Sequence, residues 1–136
     1  MIELLQQKIG IIMIIDDNNI DRYIGSRLII KNNFANKLLQ YDNAVNALHY
    51  LQDNQNNIDL LPNIIFLDIY MPMMSGFEFM EAFNTLPQFV KKYCKVFIIS
   101  STIDDSDISR VHVDPNIFGF LEKPITKEFL EKITTI

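Results

Sequence analysis

Asp16 and Asp17 follow the apolar run 11–15, and Asp68 follows the apolar run 64–67. Ser100, Ser101 and Thr102 follow the run 96–99, while Glu122, Lys123 and Pro124 follow the run 118–121. Brought to one place, these residues supply three carboxylates, a hydroxyl and an ammonium. Crowded carboxylates repel, and a shared divalent cation relieves the repulsion. Each residue also has an ordinary role, since acidic pairs form turns and caps, serines cap helices and lysines are solvated. No turn rule puts them at the ends of successive apolar runs. That coincidence carries the functional reading.

The elements that must position these groups alternate along the chain. Ile9–Ile15, 63–67, 96–99 and 117–121 are apolar at nearly every position, as strands covered on both faces are; 37–41 reads as a fifth strand at an edge. Between them lie segments with helical spacing. Ile20, Ile24 and Leu28 recur behind Asn18 and Asn19, and Ala44, Leu48 and Leu51 recur behind Asp42. Phe79, Met80 and Phe83 follow Ser75-Gly76, and Leu86 closes that segment before Pro87. Asp104 and Asp105 open a short helix to about His112, and Ile125, Phe129, Leu130 and Ile133 form the last stripe. Strand and helix thus alternate five times. This predicts right-handed βαβ units in an α/β, flavodoxin-like doubly wound fold: a five-stranded parallel sheet of order 2-1-3-4-5 with helices on both faces. Ligands of such sheets bind beyond the carboxyl ends of the strands, where the candidate residues fall.

These residues match a known pattern. Ile14-Ile15-Asp16-Asp17, the stretch from Leu67-Asp68 through Met71-Pro72 to Ser75-Gly76, Ile98-Ile99-Ser100-Ser101, and Gly119-Phe120-Leu121-Glu122-Lys123-Pro124 resemble the receiver domains of two-component response regulators. The resemblance implies that Asp68 accepts a phosphoryl group. It implies Mg²⁺, or Mn²⁺ in its place, held by Asp16, Asp17, Asp68 and the main-chain carbonyl of Tyr70. It places Ser100 and Lys123 against the phosphoryl group, Ser100 and Phe120 in a conformational switch, and a cis bond between Lys123 and Pro124. The chemistry is coherent: a carboxylate is a usable nucleophile, and phosphoryl transfer is governed by positioning and charge neutralisation. A sensor histidine kinase or histidine phosphotransfer protein is the implied donor. A downstream protein, or a phosphorylation-dependent homodimer, is the implied reader.

Composition bounds the rest. The chain has 136 residues, 49% hydrophobic and 21% charged, the profile of one globular domain. Twelve basic against 17 acidic residues give a net charge of −5, which argues against direct nucleic-acid binding. A single cysteine, Cys94, and no long apolar span point to a cytoplasmic protein without membrane contact. One receiver domain over 1–136, with its core at about 9–133 and no output domain, is expected. The role is signalling rather than enzymatic. Two alternatives come from other classes: a small-molecule phosphatase or phosphotransferase forming an aspartyl-phosphate, and a flavin-binding flavodoxin-like module. The first usually has a second Asp two residues after the nucleophile, where Tyr70 stands. The second needs a Ser/Thr/Gly-rich phosphate loop after Ile15, where Asp16-Asp17-Asn18-Asn19 stand.

Overall fold

The computed structural model describes residues 9–134. Five strands, β1 (Ile9–Ile15), β2 (Ala35–Tyr41), β3 (Ile64–Asp68), β4 (Lys95–Ser100) and β5 (Ile117–Glu122), alternate with helices. The helices are α1 (Asn19–Lys31), α2 (Ala44–Asp53), α3 (Gly76–Phe83), α4 (Gln88–Tyr93), α5 (Asp105–Val113) and α6 (Lys127–Ile133). All neighbouring strands are parallel, in the order β2-β1-β3-β4-β5. This is the predicted doubly wound order. Strand order reverses between β1 and β3, so the crevice that such sheets offer to ligands opens where Asp16, Asp17 and Asp68 stand.

Continuous apolar strands serve two cores at once, because successive side chains point to opposite faces. Met13, Ile15, Ile65, Leu67, Val96 and Ile98 pack with α2, α3, α4 and α5 residues on one face. Ile12, Ile14, Ile64, Phe66, Phe97 and Ile99 pack with Ile29 of α1 and Leu130 and Ile133 of α6 on the other. The apolar positions of β3 and those of β4 are thereby used on both faces.

Two helical details depart from the sequence pattern. In α1 the residues that go inward are Gly25, Ser26 and Ile29, whereas Ile20 is 70% and Ile24 48% exposed. The four-residue spacing marks a helix but not its buried side. The segment ending at Leu86 also restarts: Pro87 stands at the N-terminus of α4, where a missing N–H costs nothing, and Val90 and Cys94 are buried behind it.

Caps follow the expected chemistry. The Asn18 carbonyl oxygen of the side chain accepts the N–H groups of Ile20 and Asp21, and Asn43, rather than Asp42, caps α2. Ser75 and Glu78 make a reciprocal capping box on α3, as do Asp104 and Asp107 on α5. Gly76 lies directly under the end of β3. Its N–H donates to Ile69 O at 2.7 Å, and a Cβ there would collide with the Asp68 carbonyl oxygen and sit 3.0 Å from Ile69 Cα. Gly76→Ala therefore forces the Asp68 backbone to move; urea denaturation should show a loss of about 1–3 kcal/mol.

Candidate functional site

Backbone hydrogen bonds carry the site residues beyond the strand ends. Asp16 N–H donates to Tyr41 O at 3.0 Å, and Lys123 N–H donates to Ser100 O at 2.8 Å, so both ladders continue one residue further. The carboxylates of Asp16, Asp17 and Asp68 converge, with one oxygen of each lying within 4.8 Å of the others. Asp16 and Asp68 are buried and Asp17 is exposed, which gives the cluster one solvent-facing side. Hard oxygen donors in this number suit a divalent cation such as Mg²⁺ or Mn²⁺.

Lys123 reaches into the cluster instead of lying in solvent; its side chain is 10% exposed. Its Nζ lies 2.8 Å from Asp16 Oδ2, 2.9 Å from Asp21 Oδ2 and 3.5 Å from Asp68 Oδ2. Burial alone lowers the Lys123 pKa, but hydrogen bonds to Asp16 and Asp21, with the charges of Asp16 and Asp68, outweigh it and raise it. Asp68 is pushed up from 3.8 to about 6, chiefly by burial and then by the charge of Asp16, against the opposing pull of Lys123. Asp68 Oδ1 accepts the N–H of Ile69 at 2.9 Å. Asp16 is fixed on both sides, with Oδ1 accepting Asn18 N–H at 2.9 Å and its main-chain oxygen accepting Arg22 Nη1 at 2.7 Å.

Ser100 is buried, and its hydroxyl donates to Thr102 O at 2.9 Å. Phe120 is 39% exposed on β5, opposite Ile98. The Lys123–Pro124 bond is cis, as expected. Cys94 is buried, and burial pushes its thiol up to about 12, so it is a packing residue. His49 and His112 are exposed and belong to no metal-binding group among the described residues.

Two participants were not legible as such in the sequence. Asp21 is one; an acidic residue in the first turn of a helix is ordinarily a companion of the helix dipole. The side chain of Tyr70 is the other. Its hydroxyl donates to Asp107 Oδ2 at 2.6 Å, tying the loop after β3 to the first turn of α5, and this bond pushes the phenol up to about 12. Farther along, the Arg110 guanidinium lies 4.0 Å from the centre of the Phe77 ring, and Asn84 donates to Asp114 at 3.0 Å.

A doubly wound sheet with carboxylates and a lysine at its switch point defines the class, and comparison with known proteins gives the family. The response regulator receiver domain family matches residues 12–135, and the chain belongs to it. A response regulator receiver protein from Dyadobacter fermentans DSM 18053 has a similar structure, with 30% identity and a TM-score of 0.81 over 91% of this chain and 94% of that one. A two component response regulator from Cytophaga hutchinsonii is 23% identical with a TM-score of 0.87, covering 95% of this chain and 96% of that one. The 3',5'-cyclic-nucleotide phosphodiesterase regA of Dictyostelium discoideum is 29% identical over 121 residues, 89% of this chain; the chain spans 14% of that protein's length. The domain is thus a signalling domain of two-component systems. No helix among the described residues is long and apolar enough to cross a membrane.

The raised Asp68 pKa has a stability consequence in the metal-free protein. Below 3.8 the carboxyl is protonated both folded and unfolded; between 3.8 and about 6 the folded state holds a proton that the unfolded state has released. Stability from this group therefore falls as pH rises through that window. Asp68→Asn should be more stable than the parent at pH 7.5 in chelator, on the order of 1–3 kcal/mol, with the difference vanishing near pH 4. Denaturant midpoints at both pH values check it. Separately, Tyr70→Phe should speed amide exchange in the first turn of α5 and leave the sheet unchanged.

Proposed function

We propose that this receiver accepts a phosphoryl group on Asp68 from a sensor histidine kinase or histidine phosphotransfer protein, and relays its state through protein contacts. The observation that carries this reading is the convergence of Asp16, Asp17 and Asp68 with Lys123 at the switch point of the sheet. The donor set fits Mg²⁺ or Mn²⁺, which Asp16, Asp17, Asp68 and the Tyr70 main-chain carbonyl would hold. Bound there, the cation supplies positive charge against the oxygens of the transferring group.

The chain's own residues do the rest. Asp68 is the nucleophile: an oxygen–phosphorus bond forms to its carboxylate as the nitrogen–phosphorus bond of the donor histidine breaks, and the nitrogen keeps the electron pair. With Oδ1 engaged by Ile69, Oδ2 on the Lys123 side is the reacting oxygen. Lys123 offsets phosphoryl charge as a flexible ammonium. Ser100 donates its hydroxyl to the phosphoryl group after giving up Thr102 O. That inward swing vacates space for the half-exposed Phe120 ring, and the altered surface comprises α5, β5 and α6. Phe120, Phe118 and Val113 give that face its exposed apolar groups. A downstream protein or a second copy of the chain reads it, as a two-state population shift.

Incubation with phosphorylated histidine kinase and Mg²⁺ should add one phosphoryl group by intact mass. Asp68→Asn and excess chelator should each abolish the gain; full labelling of Asp68→Asn would overturn the assignment. Amide shifts induced by a phosphoryl mimic should concentrate around Phe120 and α5, not in α1 and α2.

A further inference from the structure

Lys123 is shared unequally. Its ammonium touches Asp16 at 2.8 Å and Asp21 at 2.9 Å, and lies farther, at 3.5 Å, from Asp68. Asp16 is buried and held by Asn18 and bonded through its own carbonyl to Arg22, so its grip on the lysine is fixed. Asp21 differs. It projects from the first turn of α1, its side chain is 36% exposed, and its Oδ2 contact bridges 102 residues of sequence to Lys123. It faces the same small recess as Lys123, Ile24 and Pro124.

We infer that Asp21 is a positioning residue that restrains Lys123, drawing its ammonium away from Asp68 and so limiting the rate at which Asp68 takes up a phosphoryl group. This rests on the proposed role of Asp68 and Lys123. An incoming phosphoryl group must win Lys123 from Asp21 before the lysine can neutralise it, and Asp21 adds a further negative charge to the approach of an anionic donor. Asp16 stays in place throughout, so the lysine is never left without a partner. Because the Asp21–Lys123 pair is partly exposed, the restraint is modest and salt-sensitive.

The test uses acetyl phosphate as donor: its phosphoryl group passes to Asp68 while acetate leaves with the electron pair of the broken O–P bond. At low salt and limiting donor, Asp21→Asn should label about two- to fivefold faster than the parent, the range expected for a half-exposed ion pair. The advantage should shrink in 0.5 M salt, on the order of a 4 Å screening length, and show mainly as a lower half-saturating donor concentration. Asp21→Glu, which keeps the charge, should label at the parental rate. Equal or slower labelling of Asp21→Asn overturns the inference. A second reading needs no donor: side-chain ¹⁵N NMR should show faster proton exchange at the Lys123 ammonium in Asp21→Asn, and unchanged exchange also overturns it. Failure of the parent to label on Asp68 would instead count against the proposed function, with the Lys123 exchange still deciding whether Asp21 restrains the lysine.

Discussion

Like charge, gathered where water is scarce, is the constraint on which this molecule's architecture turns. Asp16 and Asp68 are buried at the end of the sheet, Asp17 stands beside them, and the Lys123 ammonium lies between Asp16, Asp21 and Asp68. Ionised groups in such surroundings persist only where partners compensate them. Here compensation is incomplete, as the raised Asp68 pKa records. A site left short of positive charge has a donor set that an added divalent cation would suit.

The rest of the fold holds that imbalance in place. The central strands β1 and β3 are packed on both faces, so their ends are rigid, and the acidic residues sit one step past the last apolar side chains. Lys123 arrives from the far side of the sheet because β5 is bonded to β4, and the Ser100–Lys123 backbone contact sets how far it reaches. Gly76 lets the loop after β3 fold back beneath Asp68, where a side chain would not fit. Hydrophobic burial thus supplies the stiffness that the charges themselves oppose.

Much of this was legible in the sequence, and for physical reasons. Strands buried on both faces must be apolar throughout, so β1, β3 and β4 announce themselves, and polar residues just past them must lie at one edge of a parallel sheet. β2 and β5, at the edges, alternate more and were recognisable with looser bounds. α4 was missed because Pro87 reads equally as a stop and as a start. The repeat of Ile20, Ile24 and Leu28 marks α1 but not its buried side: Leu28 packs against the core while Ile20 and Ile24 stay exposed, and Gly25 and Ser26, which carry little hydrophobic signal, are the residues that turn inward. Asp21 and the Tyr70 hydroxyl could not be found from spacing, because their partners, Lys123 and Asp107, lie 102 and 37 residues away. Pairings of that kind exist only once the chain has folded.

The manner in which α5 is fastened has a mechanical consequence. The helix buries only Asp107 and Val111, so little of its hold is the graded, forgiving kind that apolar packing gives. It is pinned near its start by the Tyr70 hydroxyl, midway by Arg110 on the Phe77 ring, and just past its end by Asn84 on Asp114. Hydrogen bonds weaken steeply as they bend or lengthen. The hold on α5 therefore rests on a few discrete contacts, and the pin nearest the acidic cluster belongs to a residue only two positions from Asp68. That single hydrogen bond makes the loop after β3 and the first turn of α5 one mechanical unit, joined as a latch joins a door to its frame.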